Sequence, residues 1–143
     1  MIKLERFTCE HWLLLTRDTS RKSVLQGRIR EQCGVAYSAI EDGLILGSAG
    51  VIAENRAGAL WALLTDDLKQ RHPRWLHRTA KRLLIPVIEA MDLVRIDATI
   101  DPENKMNQKW IEKLGITNHR IKERAGIDGR NVLEYSLVLK DKP

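Results

Sequence analysis

The stretch ENKMNQKWIEKLG, from Glu103 to Gly115, combines the spacing of a short amphipathic helix with a glycine stop. Asp101 can cap this helix with Pro102 at its first helical position, and Gly115 can close it. The apolar residues expected on its buried face are Met106, Trp110, Ile111 and Leu114. The stretch therefore predicts a capped helix with one buried face late in the chain.

The segments around this helix have the patterns of strands and of a second, longer helix. LVRIDATI alternates apolar and polar residues up to Ile100, and the residues from His119 onward form a predicted hairpin that turns at Asp128-Gly129. GALWALLT, Gly58 to Thr65, is almost entirely apolar, as a strand buried on both faces would be. HPRWLHRTAKRLLIPVIEAM follows with helical periodicity. Residues 58–100 therefore predict a strand, a helix and a parallel strand.

The first third of the chain adds a strand, two short helices and a hairpin. MIKLERF alternates as a strand, and RDTSRKS separates two helical segments. Asp42-Gly43 then gives a strong turn signal between two β-prone segments. The whole order predicts an α/β fold with a mixed sheet, and the length of 143 residues fits one domain spanning residues 1–143.

Composition limits the classes of protein to consider. Charged residues make up 30% of the chain, and the sequence holds no apolar run of the roughly 20 residues that a membrane span needs. Glu5 and Glu10 interrupt the apolar stretch that a signal peptide would require, so we expect a cytoplasmic protein without a membrane partner. The cysteine and histidine spacings match no metal motif, and we predict no bound metal. The net charge of +5 is compatible with an anionic partner.

The order of elements, together with the opening stretch, resembles the GCN5-related N-acetyltransferase (GNAT) superfamily. Asn104, followed by Trp110-Ile111 and Glu112-Lys113-Leu114-Gly115, is similar to the late helix of that family. The resemblance implies a mixed, mostly antiparallel sheet of six to seven strands with a central parallel pair and helices on both faces. It also implies acetyl- or acyl-coenzyme A as cofactor and an amine as the acyl acceptor.

The resemblance places the coenzyme at the end of the Gly58–Thr65 strand and at the start of the helix that follows. In the family, a glycine-rich loop exposes backbone N–H groups to the pyrophosphate, an arrangement that the helix dipole favours. Here Leu76, Arg78 and Ala80 hold the usual glycine positions, and only Ala80 is small. The implied coenzyme-binding residues are Leu63, Leu64, Thr65, Trp75, Leu76, His77, Arg78, Thr79, Ala80 and Asn104.

Positive charge replaces the glycines at the start of this helix. The basic residues are Arg71, Arg74, His77, Arg78, Lys81 and Arg82. Cations at a helix N-terminus oppose the helix dipole, so their clustering is compatible with a bound anion. Three interpretations stay open at this point: a solvated basic face, a site for coenzyme or other phosphates, and a site for nucleic acid.

The residues that acyl transfer needs are only partly present. In the family, a backbone N–H near the strand end polarises the thioester carbonyl, and here that role falls to Leu63–Thr65. The usual tyrosine acid follows the helix aromatic, and Ile111 holds that position. Tyr37 and Tyr135 lie on predicted strands. The candidate bases Glu54, Asp66, Asp67 and Asp97 are typical of ordinary surface acids. We therefore assign no catalytic residue, and the sequence leaves transfer activity open.

A narrower resemblance concerns the small GNAT-like proteins of T7-like bacteriophages. It depends on the pattern from Trp75 to Ile88 and on the size of the chain. It implies, as an alternative to an enzyme, a catalytically degenerate protein with a role in virion assembly or as an accessory virion protein. Phage structural proteins would then be its partners, and it would be found in the host cytoplasm or the virion.

Overall fold

A computed structural model describes residues 1–139. The last four residues, including Lys140 at the end of the predicted second hairpin, lie outside the described range. The strands are β1 (Lys3–Arg6), β2 (Gly34–Glu41), β3 (Leu44–Glu54), β4 (Ala57–Leu64), β5 (Arg95–Ile100), β6 (Asn118–Lys122) and β7 (Val132–Val138). The α-helices are α1 (Cys9–Thr16), α2 (Arg21–Gln32), α3 (Asp66–Arg71), α4 (Pro73–Ala90) and α5 (Lys105–Lys113).

The seven strands form one mixed sheet in the order β1-β2-β3-β4-β5-β7-β6. The pair β4 and β5 is parallel, with Ala57 opposite Arg95 and Leu60 opposite Ala98. The pairs β1–β2, β2–β3, β5–β7 and β6–β7 are antiparallel. The predicted mixed sheet with a central parallel pair is confirmed.

The described residues divide into two compact units, which we call the N-terminal and C-terminal units. The N-terminal unit consists of Met1–Ala53 and Trp61–Leu76, and the C-terminal unit of Glu54–Leu60 and the described residues from 77 onward. The prediction of a single domain over residues 1–143 stays a prediction.

The N-terminal unit packs side chains against both faces of β2 and β3. One cluster joins Ala39, Leu46 and Leu68, with Trp75 and Leu76 partly buried against it. A second set is aromatic: the ring of Trp61 lies 5.0 Å from Phe7 and 5.8 Å from Trp12, edge to face in both cases. Rings at such distances and angles attract each other through their quadrupoles.

In the C-terminal unit, Ile96, Ala98 and Ile100 of β5 and Tyr135 of β7 are buried on one face of the sheet, and Val132 of β7 is buried on the other. The buried residues are Leu93, Ile96, Ala98, Ile100, Ile111, Ile116, Val132 and Tyr135. The alternation in LVRIDATI is confirmed, because Ile96, Ala98 and Ile100 are buried and Thr99 between them is exposed.

Two sequence-based expectations about α5 are wrong. Its N-cap is Asn104, whose Oδ1 accepts a hydrogen bond from the Asn107 N–H at 3.0 Å. Asp101 instead accepts from the N–H of Glu103 at 2.9 Å, which stabilises the turn before the helix. Met106 was expected on the buried face and is 57% exposed. The helix starts later than predicted because the turn at Asp101 uses that carboxylate first.

Candidate functional site

The end of β4 supplies the backbone groups on which the sequence analysis centred the acyl site. The N–H of Thr65 donates to the Leu46 carbonyl on β3 at 2.9 Å, and its hydroxyl donates to the same oxygen at 2.6 Å. Backbone groups alternate between the two edges of a strand, so the N–H of Leu64 faces the edge of β4 opposite to β3. Within Leu63–Thr65, Leu64 is therefore the residue whose amide points away from β3.

Helix α3 occupies the chain directly after β4 and was missed by the sequence analysis. The side chain of Thr65 accepts from the Leu68 N–H at 3.2 Å, and Asp66 and Asp67 lie in the first turn, where carboxylates favour a helix. Leu68 is 1% exposed, so the core fixes this short helix. Thr65-Asp66-Asp67 was the signal in the sequence that could have located it.

This helix neutralises part of the expected basic cluster. Arg71 pairs with Asp67 at 3.0 Å and with Glu41 at 3.5 Å, and Lys69 pairs with Asp66 at 3.5 Å. Arg71 therefore has local acidic partners and contributes less free positive charge than the sequence analysis assumed. The same pairs occupy Asp66 and Asp67, two of the candidate bases.

Helix α4 begins at Pro73, earlier than the positions of the family's glycines would require. The N–H of Leu76 already donates to the His72 carbonyl at 3.0 Å, and Arg78 and Ala80 lie further inside the helix. The backbone N–H groups of an α-helix interior are engaged with the carbonyls four residues before them. The residues at the glycine positions can consequently meet an anion through side chains, not through backbone amides.

Exposed cations line one side of α4. Arg74, Arg78, Lys81 and Arg82 are exposed, and Glu89 is the first acidic residue of the helix. Within residues 1–139, none of these four cations is in an ion pair. The first half of α4 thus presents positive charge that forms no ion pair with a described carboxylate.

Several other residues predicted to bind the coenzyme are buried or take part in contacts within the protein. Trp75, a candidate for stacking on an adenine, is partly buried against the Leu46 and Leu68 cluster. Thr79 is buried, and the Nδ1 atom of His77 is buried without a hydrogen-bond partner in the described chain. Asn104 uses its side-chain oxygen to cap α5. Their coenzyme contacts stay predictions.

The residue at the position of the family's tyrosine acid is buried in the core of the C-terminal unit. Ile111 is 5% exposed. Tyr135 is 1% exposed and donates to the Glu112 carboxylate at 3.1 Å. Its burial, with that hydrogen bond and the negative charge of Glu112, raises the pKa of Tyr135, so its proton is held more firmly than usual. The buried hydroxyl is poorly suited to act as an acid.

The remaining candidate bases have ordinary surroundings. Asp97, a third candidate base, pairs with Arg95 at 2.9 Å, and Glu54 is exposed. Residues 1–139 contain no cluster of three or more His, Cys, Asp or Glu side chains arranged to hold a metal ion. No described helix combines the length and the apolar character needed to cross a membrane.

Comparisons with known proteins give the fold and no close relative. No protein-family model and no curated protein sequence matches this chain. Among solved structures, the ribosomal-protein-S18-alanine N-acetyltransferase of Escherichia coli matches with a TM-score of 0.75 and 13% identity, over 100% of this chain and 97% of that one. A GNAT-family acetyltransferase of Streptococcus pneumoniae matches at 0.71 and 13%, over 98% and 100%.

A third solved structure, a putative acetyltransferase from Acinetobacter baylyi, matches with a TM-score of 0.73 and 19% identity, over 100% of this chain and 95% of that one. The three comparisons cover nearly the whole of both chains in each case. The chain therefore has the GNAT fold, as the sequence analysis predicted, and identity this low shows the fold alone.

Proposed function

We propose that this protein binds acyl-coenzyme A and presents its acyl group to an amine. The observation that carries the proposal is the match to acetyltransferase structures over the whole chain, with a TM-score of 0.75 for one of them. A fold by itself does not determine an activity. Two features of the described residues, each taken within its own unit, also support the proposal: the amide of Leu64 in the N-terminal unit, and the exposed cations Arg78, Lys81 and Arg82 in the C-terminal unit.

The amide of Leu64 is the group we assign to the thioester carbonyl. Pairing of β4 with β5 involves Ala57 to Leu60, and Leu64 lies beyond that stretch with its N–H directed away from β3. A backbone donor aimed at a carbonyl oxygen stabilises the negative charge that develops there during acyl transfer. This contribution needs no particular side chain, so it persists although the usual tyrosine is absent.

Side chains take the place of the glycine-rich loop in holding the phosphates. Arg78, Lys81 and Arg82 are exposed on α4 and lack acidic partners among the described residues. A guanidinium can form two parallel hydrogen bonds to a phosphate, whereas an ammonium acts as a point charge. We expect binding through these groups to weaken as salt rises, because the cations are exposed to solvent.

Transfer to an amine would proceed without a protein acid in this proposal. Bound acyl-coenzyme A supplies an activated acyl group as a thioester. The incoming amine forms the new C–N bond as the C–S bond breaks, and water accepts the amine proton and protonates the thiolate. Ile111 and Tyr135 are both buried, so we expect transfer to be slow relative to an enzyme with a positioned acid, by a factor of about 10² or more.

Thermal unfolding with and without acetyl-coenzyme A tests binding. A ligand that binds only the folded chain at 100 times its dissociation constant adds about 2.7 kcal/mol of stability, which raises the melting temperature by several degrees. Arg78→Glu should reduce that shift strongly. Arg28→Glu is the matched control, because Arg28 is exposed on α2 and removing it changes the net charge equally. No shift at about 1 mM coenzyme would overturn the proposal.

Adenosine 3′,5′-bisphosphate and a DNA duplex separate coenzyme binding from other anion binding. A shift with acetyl-coenzyme A that clearly exceeds the shift with the bisphosphate supports recognition of the acyl-pantetheine part. Equal shifts with acetyl-coenzyme A and with the bisphosphate would contradict recognition of the acyl-pantetheine part. Retention on DNA with a steep salt dependence would favour the nucleic-acid interpretation of the same basic side. That interpretation and the phage virion role stay predictions.

A further inference from the structure

The N-terminal unit contains a concave region between β1, the end of α2 and the start of β2. It is a cavity of about 260 Å³ whose polar lining consists of Arg6, Arg30, Glu31 and Tyr37. Phe7 and Val35 give it an apolar wall. Small-molecule sites combine an apolar surface with a few charged or polar groups, and this cavity has that composition.

Arg30 is the unusual residue of the cavity. Its guanidinium carbon lies 4.3 Å from the centre of the Trp12 ring and 5.3 Å from that of Trp61. Nη1 donates to the backbone and side-chain oxygens of Gln26 at 3.1 and 2.6 Å. Nε is buried without a partner in the described chain. Desolvation by burial lowers the pKa of Arg30, as expected for a cation without an offsetting carboxylate.

The second terminal nitrogen of the guanidinium has no hydrogen-bond partner among residues 1–139. Nη2 of Arg30 forms no hydrogen bond with residues 1–139 and is not among the fully buried atoms without a partner, so it retains accessible surface. Aromatic packing fixes the guanidinium plane, and a fixed guanidinium loses little further freedom when it binds a carboxylate. Arg6 lines the same cavity and likewise has no acidic partner in the described range.

Glu31 brings the opposite charge to the cavity. Its Oε2 accepts from the N–H of Cys9, the first residue of α1, at 3.2 Å. Oε1 forms no hydrogen bond with a described residue. The cavity therefore offers two cations and one carboxylate oxygen beside an apolar wall, and a ligand with complementary groups would carry both charges.

We propose that this cavity binds a small amino-acid-like zwitterion, with its carboxylate on Arg6 and Arg30, its ammonium on Glu31 and an apolar side chain against Phe7 and Val35. The volume suits a single small molecule and is too small for a folded partner. The site lies wholly within the N-terminal unit and uses none of the residues assigned to acyl-coenzyme A. The two proposals are therefore independent, and a negative result for one leaves the other unaffected.

Three related probes test the charge requirement on the full chain. Phenylalanine carries both charged groups, 3-phenylpropionate lacks the ammonium, and phenethylamine lacks the carboxylate. In an amide NMR titration, phenylalanine should shift the resonances of residues 34–37 and of Glu31. 3-Phenylpropionate, which loses the contact with Glu31, should bind about tenfold more weakly, and phenethylamine, which loses the contacts with both arginines, should bind more weakly still. Acetyl-coenzyme A should leave these resonances unchanged, which separates this test from that of the proposed function.

Two variants and one control complete the experiment. Arg6→Gln removes an exposed cation from the lining and should weaken phenylalanine binding about tenfold. Glu31→Gln keeps an oxygen for the Cys9 N–H. It should reduce the difference in affinity between phenylalanine and 3-phenylpropionate. Arg28→Gln removes a cation from the same helix outside the cavity and should leave the affinity unchanged.

Several outcomes would overturn the proposal. These are no shifts up to about 10 mM phenylalanine, shifts located elsewhere, equal binding of all three probes, or equal weakening by Arg28→Gln and Arg6→Gln. Arg30 itself is unsuitable as the first variant, because its substitution also changes the packing of Trp12 and Trp61.

Discussion

The Tyr135 hydroxyl on β7 donates a hydrogen bond to the Glu112 carboxylate of α5 at 3.1 Å. The tyrosine is almost fully buried, and His119 stacks on its ring with a centroid distance of 4.9 Å. Ile111, the residue before Glu112, is buried as well. The helix that resembles the family's acid-bearing helix is thus held to the sheet by a tyrosine whose role is structural.

Tyr135→Phe should lower the free energy of unfolding by about 1–2 kcal/mol, because a hydrogen bond to a charged group is lost from the C-terminal unit. Urea denaturation measures the change. Tyr37→Phe is the matched control: Tyr37 is 36% exposed, its hydroxyl forms no hydrogen bond with a described residue, and the expected change is within about 0.5 kcal/mol. Equal losses in the two variants would contradict the assigned role.

Alkaline pH should destabilise the protein through the same residue. The pKa of Tyr135 is raised above its ordinary value of 10.0, first by burial and then by Glu112. A group with a raised pKa in the folded state contributes stability that is complete below pH 10.0 and is lost as pH rises toward the folded-state value. Denaturation at a series of alkaline pH values should show a steeper loss for the wild type than for Tyr135→Phe. Parallel curves would contradict this expectation.

Glu134 should contribute stability with the opposite dependence on pH. Burial acts to raise its pKa, but Arg120 at 3.0 Å and Lys122 at 3.4 Å outweigh it, and the net pKa is lowered from 4.5. The contribution is therefore present above pH 4.5 and is lost as the pH falls through the folded-state pKa. Glu134→Gln should cost about 0.5–1 kcal/mol at neutral pH and less in acid.

The control for this experiment is Glu123→Gln. Glu123 is exposed and forms no ion pair with a described residue, so its substitution should change stability little at either pH. A cost for Glu134→Gln that stays constant from neutral to acid pH would show that the charge of Glu134 is not its source.

Ser38 should be energetically coupled to Ser48. Both hydroxyls are buried and lie 2.7 Å apart, and Ser38 also contacts Nδ1 of His11 at 2.8 Å. Ser38→Ala leaves a buried partner without its hydrogen bond, at an expected cost of about 1–3 kcal/mol. A double-mutant cycle with Ser48→Ala should give a coupling of about 0.5 kcal/mol or more. Strictly additive costs would show that the two hydroxyls act independently.

Asn104→Ala should cost about 1 kcal/mol, since it removes the N-cap of α5. Asn104→Asp is the informative companion, because it keeps an oxygen acceptor and should restore most of the stability. If acetyl-coenzyme A binding falls in the alanine variant and stays low in the aspartate variant, the amide has a second role at the coenzyme site. If the aspartate variant recovers both stability and coenzyme binding, helix capping accounts for the role of Asn104.

The sequence predicted most elements because their signals are local. Asp42 and Gly43 both adopt positive φ, 52° and 79°, as the predicted hairpin turn requires. Gly115 follows α5 with φ of 93°. Apolar periodicity likewise identified the strand ending at Ile100, since side-chain alternation in a strand follows directly from backbone geometry.

The candidate site was predicted less completely. The coenzyme contacts of Leu63–Thr65 and of the α4 cations stay predictions, and no local signal distinguishes the amide of Thr65, engaged with Leu46, from that of Leu64. Helix α3 was missed because six residues are too few for a periodic signal, and helices this short are stabilised by packing. The burial of Leu68 provides that packing.

By itself, the sequence determined the order of strands and helices apart from α3, the hairpin turn at Asp42-Gly43 and the absence of a tyrosine at position 111. Tertiary structure decided which groups remain free to act. Neighbouring segments compete for each donor, acceptor and charge. Among residues 1–139, Arg71 is therefore in ion pairs and Arg78 is in none, and the Arg30 guanidinium lies against Trp12 and Trp61 beside an open cavity. Such competition depends on residues far apart in the chain, and only the folded molecule resolves it.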